Sequence, residues 1–158
     1  MTSGAAGQMY GGPSYGIANG FSDSTIDTVG VQQLEYQTNL LDSLGEWYNL
    51  APDQSHQLVT AGYGTCPTTG SEDGVNCVTD AETSDHTLAL AYLPEGGTIT
   101  VNMAQMAGAT TVRWFDPTDG DFTSISGSPF ANSGSHSFTP PGTNSGGDSD
   151  WVLVFQAS

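Results

Sequence analysis

Only one stretch of this chain carries residues on a helical repeat. Between residues 26 and 48, Val31, Leu34, Thr38, Leu41 and Tyr48 recur at mostly three- and four-residue steps, with Leu44 and Trp47 widening the stripe, which predicts an amphipathic helix. Asp27 or Thr28 is placed to cap its start and Gly45 to stop it. Pro52 disfavours helical backbone beyond Ala51. Such a helix is marginal alone and needs an apolar partner surface.

From about residue 57 the pattern shortens to strand-like runs separated by turns. Leu58–Ala61 is a weak strand, and Thr87–Leu93 (TLALAYL) is so continuously apolar that it reads as central. Thr98–Met103 alternates and follows the turn PEGG, which predicts a hairpin with the preceding strand. Thr110–Phe115, Phe122–Ile125, Ser135–Thr139 and Trp151–Phe155 complete the set. The spacing of turns predicts a mainly β protein: an antiparallel β-sandwich of about seven strands, preceded by a glycine-rich loop and one amphipathic helix. The expected division is residues 1–56 for loop plus helix and 57–158 for the sandwich. Leu88, Leu90, Tyr92, Ile99, Val101, Val112, Trp114, Trp151, Leu153 and Phe155 are the expected sandwich core.

Charge narrows the partners. Among 158 residues there are 17 Asp and Glu but one Lys or Arg, Arg113, giving a formal net charge of −16. Phosphate neutralisation needs several cations, so nucleic acid is excluded as a partner, and anionic membrane surfaces are disfavoured. No apolar run approaches the ~20 residues of a membrane span. Residues 1–12 show neither the basic nor the apolar region of a signal peptide. Cys66 and Cys77 flank a polar stretch in which Pro67, Gly70 and Gly74 let the chain turn back. A disulfide is expected there, and with it an oxidising, extracellular setting.

Several motifs now combine. The run LAYLPEGGTITVNM, then VRWFDPTDGDF, FTPPG and DWVLVF, resembles the collagen-binding C-terminal domain of secreted glycoside-hydrolase-like proteins, in which a (β/α)8 barrel of the apiosidase-like, DUF4038 type precedes the sandwich. GAAGQMYG resembles the glycine-rich loop after the last barrel strand, and VGVQQLEYQTNLLDSLGEWYNLAPDQS the final barrel helix and its exit. The resemblance covers about residues 4–156. It implies that the strands bearing a catalytic acid and base lie outside this chain. Gln8 stands where family members often have histidine, which weakens any contribution of this loop to an active site.

The residues themselves offer little catalysis. Glycoside hydrolysis needs two carboxylates at set separation, one with a raised pKa. Asp53, Asp116, Asp119 and Asp121 instead sit beside turns, where Asp bonds its own backbone. His56, His86 and His136 have no G-x-S-x-G elbow and no metal spacing around them. No catalytic residue is assigned. No cofactor is expected beyond calcium, for which Asp116, Asp119 and Asp121 in DPTDGD are the candidate ligands. Tyr10, Tyr15 and Phe21, spaced by glycine, are the best candidates for stacking on sugar rings, with Gln8 beside them. The leading expectation is a non-catalytic accessory domain of a secreted carbohydrate-active protein, binding polysaccharide or a fibrous matrix polymer, or bracing a catalytic barrel. The alternatives are a fragment or split subunit of a glycoside hydrolase, or a self-associating extracellular structural protein.

Overall fold

A computed structural model describes residues 2, 28–66 and 76–158. Helix α1 spans Val29–Leu44, followed by a 3-10 turn at Trp47–Asn49. Among the described residues nine strands follow: β1 (Ala51–Pro52), β2 (Val59–Ala61), β3 (Thr79–Glu82), β4 (Leu88–Leu93), β5 (Ile99–Asn102), β6 (Thr110–Phe115), β7 (Phe122–Ser124), β8 (Ser135–Phe138) and β9 (Trp151–Ala157). They form two antiparallel sheets, a six-stranded one ordered β1-β3-β4-β9-β6-β7 and a three-stranded one ordered β2-β5-β8. Among the described residues no helix is long and apolar enough to cross a membrane.

The six-stranded sheet is covered on both faces, which explains its apolar sequences. Its inner face packs Ala89, Ala91, Leu93, Val112, Trp114, Trp151, Leu153 and Phe155 against Val59, Ile99, Val101 and Phe138 of the smaller sheet. Aromatic edges meet faces there, with Trp114–Trp151 centroids 6.4 Å apart and Phe138–Phe155 5.8 Å apart, a geometry suited to ring quadrupoles. The outer face packs Leu88, Leu90, Phe115 and Val154 under Leu40, Leu41 and Leu44 of α1.

This arrangement corrects three sequence expectations. Leu88, Leu90 and Tyr92 belong to the outer face, while the inner positions of β4 are Ala89, Ala91 and Leu93. Alternation cannot choose a face when both are buried, and a one-residue change of register exchanges them. Second, β4 and β5 are no hairpin. The PEGG segment carries the chain from one sheet to the other, and β4 pairs β3 and β9. Third, the buried face of α1 centres on Leu40, Leu41 and Leu44, while Thr38 points to solvent and Tyr48 is 68% exposed.

The caps follow the expected chemistry. The Thr28 hydroxyl accepts from the Val31 amide, and Gly45 at φ 76° ends the helix in a conformation that L side chains rarely adopt. Strands β1 and β3 were invisible to the pattern, since AP and TDAE carry no strand signature. Both are specified by pairing, Ala51 with Glu82 and Thr79–Glu82 with Ala89–Tyr92. The boundary drawn at residue 57 therefore falls between two strands, with β1 in the same sheet that α1 covers.

Candidate functional site

A cleft of about 620 Å³ opens between the N-terminal half of α1 and the outer face of the six-stranded sheet. Its floor is apolar: Leu34, Leu40 and Leu41 from the helix, Leu90, Phe115 and Val152 from the strands. Gln33 and Gln37 of α1 line it, as do Tyr92, Pro117, Thr118, Asp148 and Asp150. Thr2 lies on its wall, its hydroxyl 2.7 Å from that of Thr79. The cleft exists because the helix meets the sheet through Leu40–Leu44, at its C-terminal end, and Gly30 and Leu34 stand over it further along.

The chemistry of the cleft is one-sided. Tyr92 Oη donates to Asp150 Oδ2 at 3.2 Å, and Asn144 Nδ2 donates to Asp150 Oδ1 at 2.7 Å. Burial, with the nearby charges of Asp150 and Asp148, pushes the Tyr92 hydroxyl up to about 12. Arg113 is absent from the lining. Its guanidinium lies 4.0 Å over the Phe122 ring and donates to Gln156 Oε1 at 2.7 Å.

The DPTDG turn holds the far wall. Asp116, 4% exposed, accepts from the Thr118 amide at 2.8 Å and hydroxyl at 2.6 Å, and from the Ser145 amide at 2.8 Å. Burial alone would raise the Asp116 carboxyl, but these bonds outweigh it and hold it below the ordinary carboxylate value. Asp119 accepts from the Asp121 amide and the Ser145 hydroxyl. Thr118 in turn accepts from the Gly146 amide. The three Asp residues expected to ligate calcium thus have another structural account. Asp116 and Asp119 tie the turn to the loop carrying Asp148 and Asp150, and Asp121 receives the Asp116 amide through its backbone carbonyl. Among the described residues no group of three or more His, Cys, Asp or Glu side chains is placed to hold a metal ion.

A second polar cluster lies at the β2–β3 corner. Asp80 sits opposite Ala91 on the inner face, 4% exposed, with Oδ2 buried and unpartnered. Burial, then Asp53 and Glu82, raise its carboxyl to about 7, against a hydrogen bond from the Val59 amide. Burial alone would also raise Asp53, but bonds from the Leu58, Ser55 and Gln57 backbone and the Ser55 hydroxyl carry it below the ordinary value. The sequence pattern missed Asp80 because β3 was not read as a strand.

The histidines form no Ser-His-Asp chain among the described residues. His56 stacks on Tyr63, His86 pairs with Glu82 at 2.9 Å, and His136 lies against Phe130 and Phe138. Cys66 and Cys77 are joined in a disulfide, their Cα atoms 4.6 Å apart. Gln8, Tyr10, Tyr15 and Phe21 lie outside the described residues. Sequence reasoning placed Tyr92 in the sandwich core and left Gln33, Gln37, Asp148 and Asp150 without a role. The usable signal was an acid pair, D-S-D, abutting a strand whose neighbour carries a tyrosine next to its last residue.

The sequence profile of a family described as "Putative collagen-binding domain of a collagenase" matches residues 69–156, more than half of the chain. No curated protein matches it. Among solved structures, a glycoside hydrolase family 5 from Bacteroides vulgatus ATCC 8482 superposes with a TM-score of 0.66 at 20% identity, over 84% of this chain and 25% of that one. A second, described as a glycoside hydrolase, does so with a TM-score of 0.66 at 22% identity, over 85% of this chain and 27% of that one. The chain thus spans about a quarter of the solved proteins it resembles, and at these identities the likeness is one of fold.

Proposed function

Since the chain belongs to the family described by that collagen-binding domain, we propose that it is a non-catalytic accessory domain of an extracellular carbohydrate-active protein, holding a polysaccharide or fibrous matrix polymer at the cleft between α1 and the six-stranded sheet. The carrying observation is the pairing of this family match with a cleft that has an apolar floor and hydrogen-bonding groups in its lining, the make-up of a binding site. The disulfide between Cys66 and Cys77 supports the extracellular setting.

In this reading residues 1–56 carry the exit from a preceding barrel, of the apiosidase-like DUF4038 type that the sequence motifs resemble, and residues 57–158 the sandwich. Tyr10, Tyr15 and Phe21, with Gln8, are proposed as further ligand contacts.

Co-sedimentation of the purified chain with collagen fibrils and with insoluble polysaccharides tests the proposal, alongside turnover of aryl glycosides. Binding without turnover is expected. Turnover by the chain alone would favour a glycosidase fragment, and failure to sediment with any polymer would remove the binding role.

A further inference from the structure

The cleft has a chemical polarity that narrows its occupant within the accessory reading just given. Its floor of Leu34, Leu40, Leu41, Leu90, Phe115 and Val152 presents hydrocarbon. A pyranose can lay a C–H face on such a floor, but it brings no positive charge to the carboxylates beside it. The carboxylates gather on one side, where Asp150 Oδ2 accepts from the Tyr92 hydroxyl at 3.2 Å and Asp148 lines the same cleft. No Lys or Arg lines the space, and the chain as a whole carries −16. An anion would find no counter-charge and a strongly unfavourable field. A flexible aliphatic stem ending in a cation fits both halves at once, hydrocarbon on the floor and charge at the acids.

We infer that this cleft receives a basic side chain of a partner polypeptide, its aliphatic stem against Leu34, Leu90 and Val152 and its cation at Asp148, Asp150 and Tyr92. The matrix polymer of the proposed function is then a protein with exposed lysine or arginine rather than a glycan. Because this chain contains no lysine and Arg113 lies outside the lining, it supplies no lysine to compete for the place.

Binding of the purified chain to a short capped peptide alternating glycine and lysine, with a norleucine-for-lysine peptide beside it, tests the inference by calorimetry at low and moderate salt. The lysine peptide should bind at least about tenfold more tightly than its norleucine counterpart, a difference that shrinks as salt rises. Asp148→Asn should weaken it by about threefold. The double variant Glu35→Gln, Asp42→Asn removes more charge from exposed positions of α1 outside the lining and should leave the affinity unchanged. Equal affinity for the two peptides would overturn the inference. So would equal losses in Asp148→Asn and the α1 double variant, which would reduce the effect to overall charge. Displacement of the peptide by a neutral oligosaccharide would overturn it while leaving the accessory role intact. Failure of the chain to sediment with any polymer would remove the accessory role instead, and the peptide measurement then decides the cleft's chemistry independently.

Discussion

Asp80 offers the sharpest test of the physical description, because its burial turns stability into a function of pH. Its carboxyl is 4% exposed, one oxygen has no partner, and Asp53 and Glu82 are its charged neighbours. Folding raises it from an ordinary 3.8 to about 7. Below about pH 4 the group is protonated in both the folded and unfolded chain and contributes nothing to pH dependence. Between there and about pH 7 the folded chain holds a proton that the unfolded chain has released, so stability falls as pH rises. Above that window both states are ionised and the full penalty, about 4 kcal/mol, is in place. Asp80→Asn keeps an oxygen for the Val59 amide and cannot ionise. It should therefore leave stability little changed near pH 4 and raise it near pH 8 by up to about 4 kcal/mol, a melting shift on the order of 10 °C. Urea titrations followed by the fluorescence of buried Trp114 and Trp151 would measure this, with Asp53→Asn removing the neighbouring charge as a control. A difference between Asp80→Asn and the parent that is constant across pH, or larger in acid, would refute the reasoning.

Further outcomes follow from the packing. Leu90→Ala beneath α1 should cost about 2–4 kcal/mol, since it leaves a void between helix and sheet, and loss of helical circular dichroism ahead of the sandwich signal would report it; no change in the urea midpoint would contradict the docking of α1. Reduction of the disulfide, or Cys66→Ser with Cys77→Ser, should cost about 2–3 kcal/mol by freeing a loop between residues 11 positions apart, read as a lower midpoint in denaturant. Gly120→Ala should destabilise the far wall of the cleft, because Gly120 has φ 83° and an added Cβ would stand 2.9 Å from Tyr36 Cδ1; an unchanged melting temperature would contradict that close approach. Chelator-treated protein should melt at the same temperature with and without added calcium, as Asp116 and Asp119 are engaged by amides and hydroxyls; a rise on adding calcium would refute that account.

The sandwich was legible where one residue type did one job. Val101 and Ile99 alternate with polar neighbours, and Thr28 and Gly45 have the side chains that helix ends require. It failed where the same residue types served two surfaces. Leu88 and Leu93 lie on one short strand and face opposite layers, and nothing in the run TLALAYL says which is which. It failed also where pairing overrode composition, as in β3, whose TDAE buries an acid because β1 and β4 claim its backbone. The cleft was hardest to foresee. Its parts come from Thr2, α1, β3, β4, β6, β9 and two loops, and only the docking of the helix over Leu90 and Val154 brings them together.

Filling the cleft tests the central claim most directly. Leu34→Trp places an indole in the space beneath α1 without touching the inner core. Sedimentation with collagen fibrils should be strong for the parent chain and largely lost for this variant at an unchanged melting temperature. Equal sedimentation of the two would show that the polymer is held on another surface.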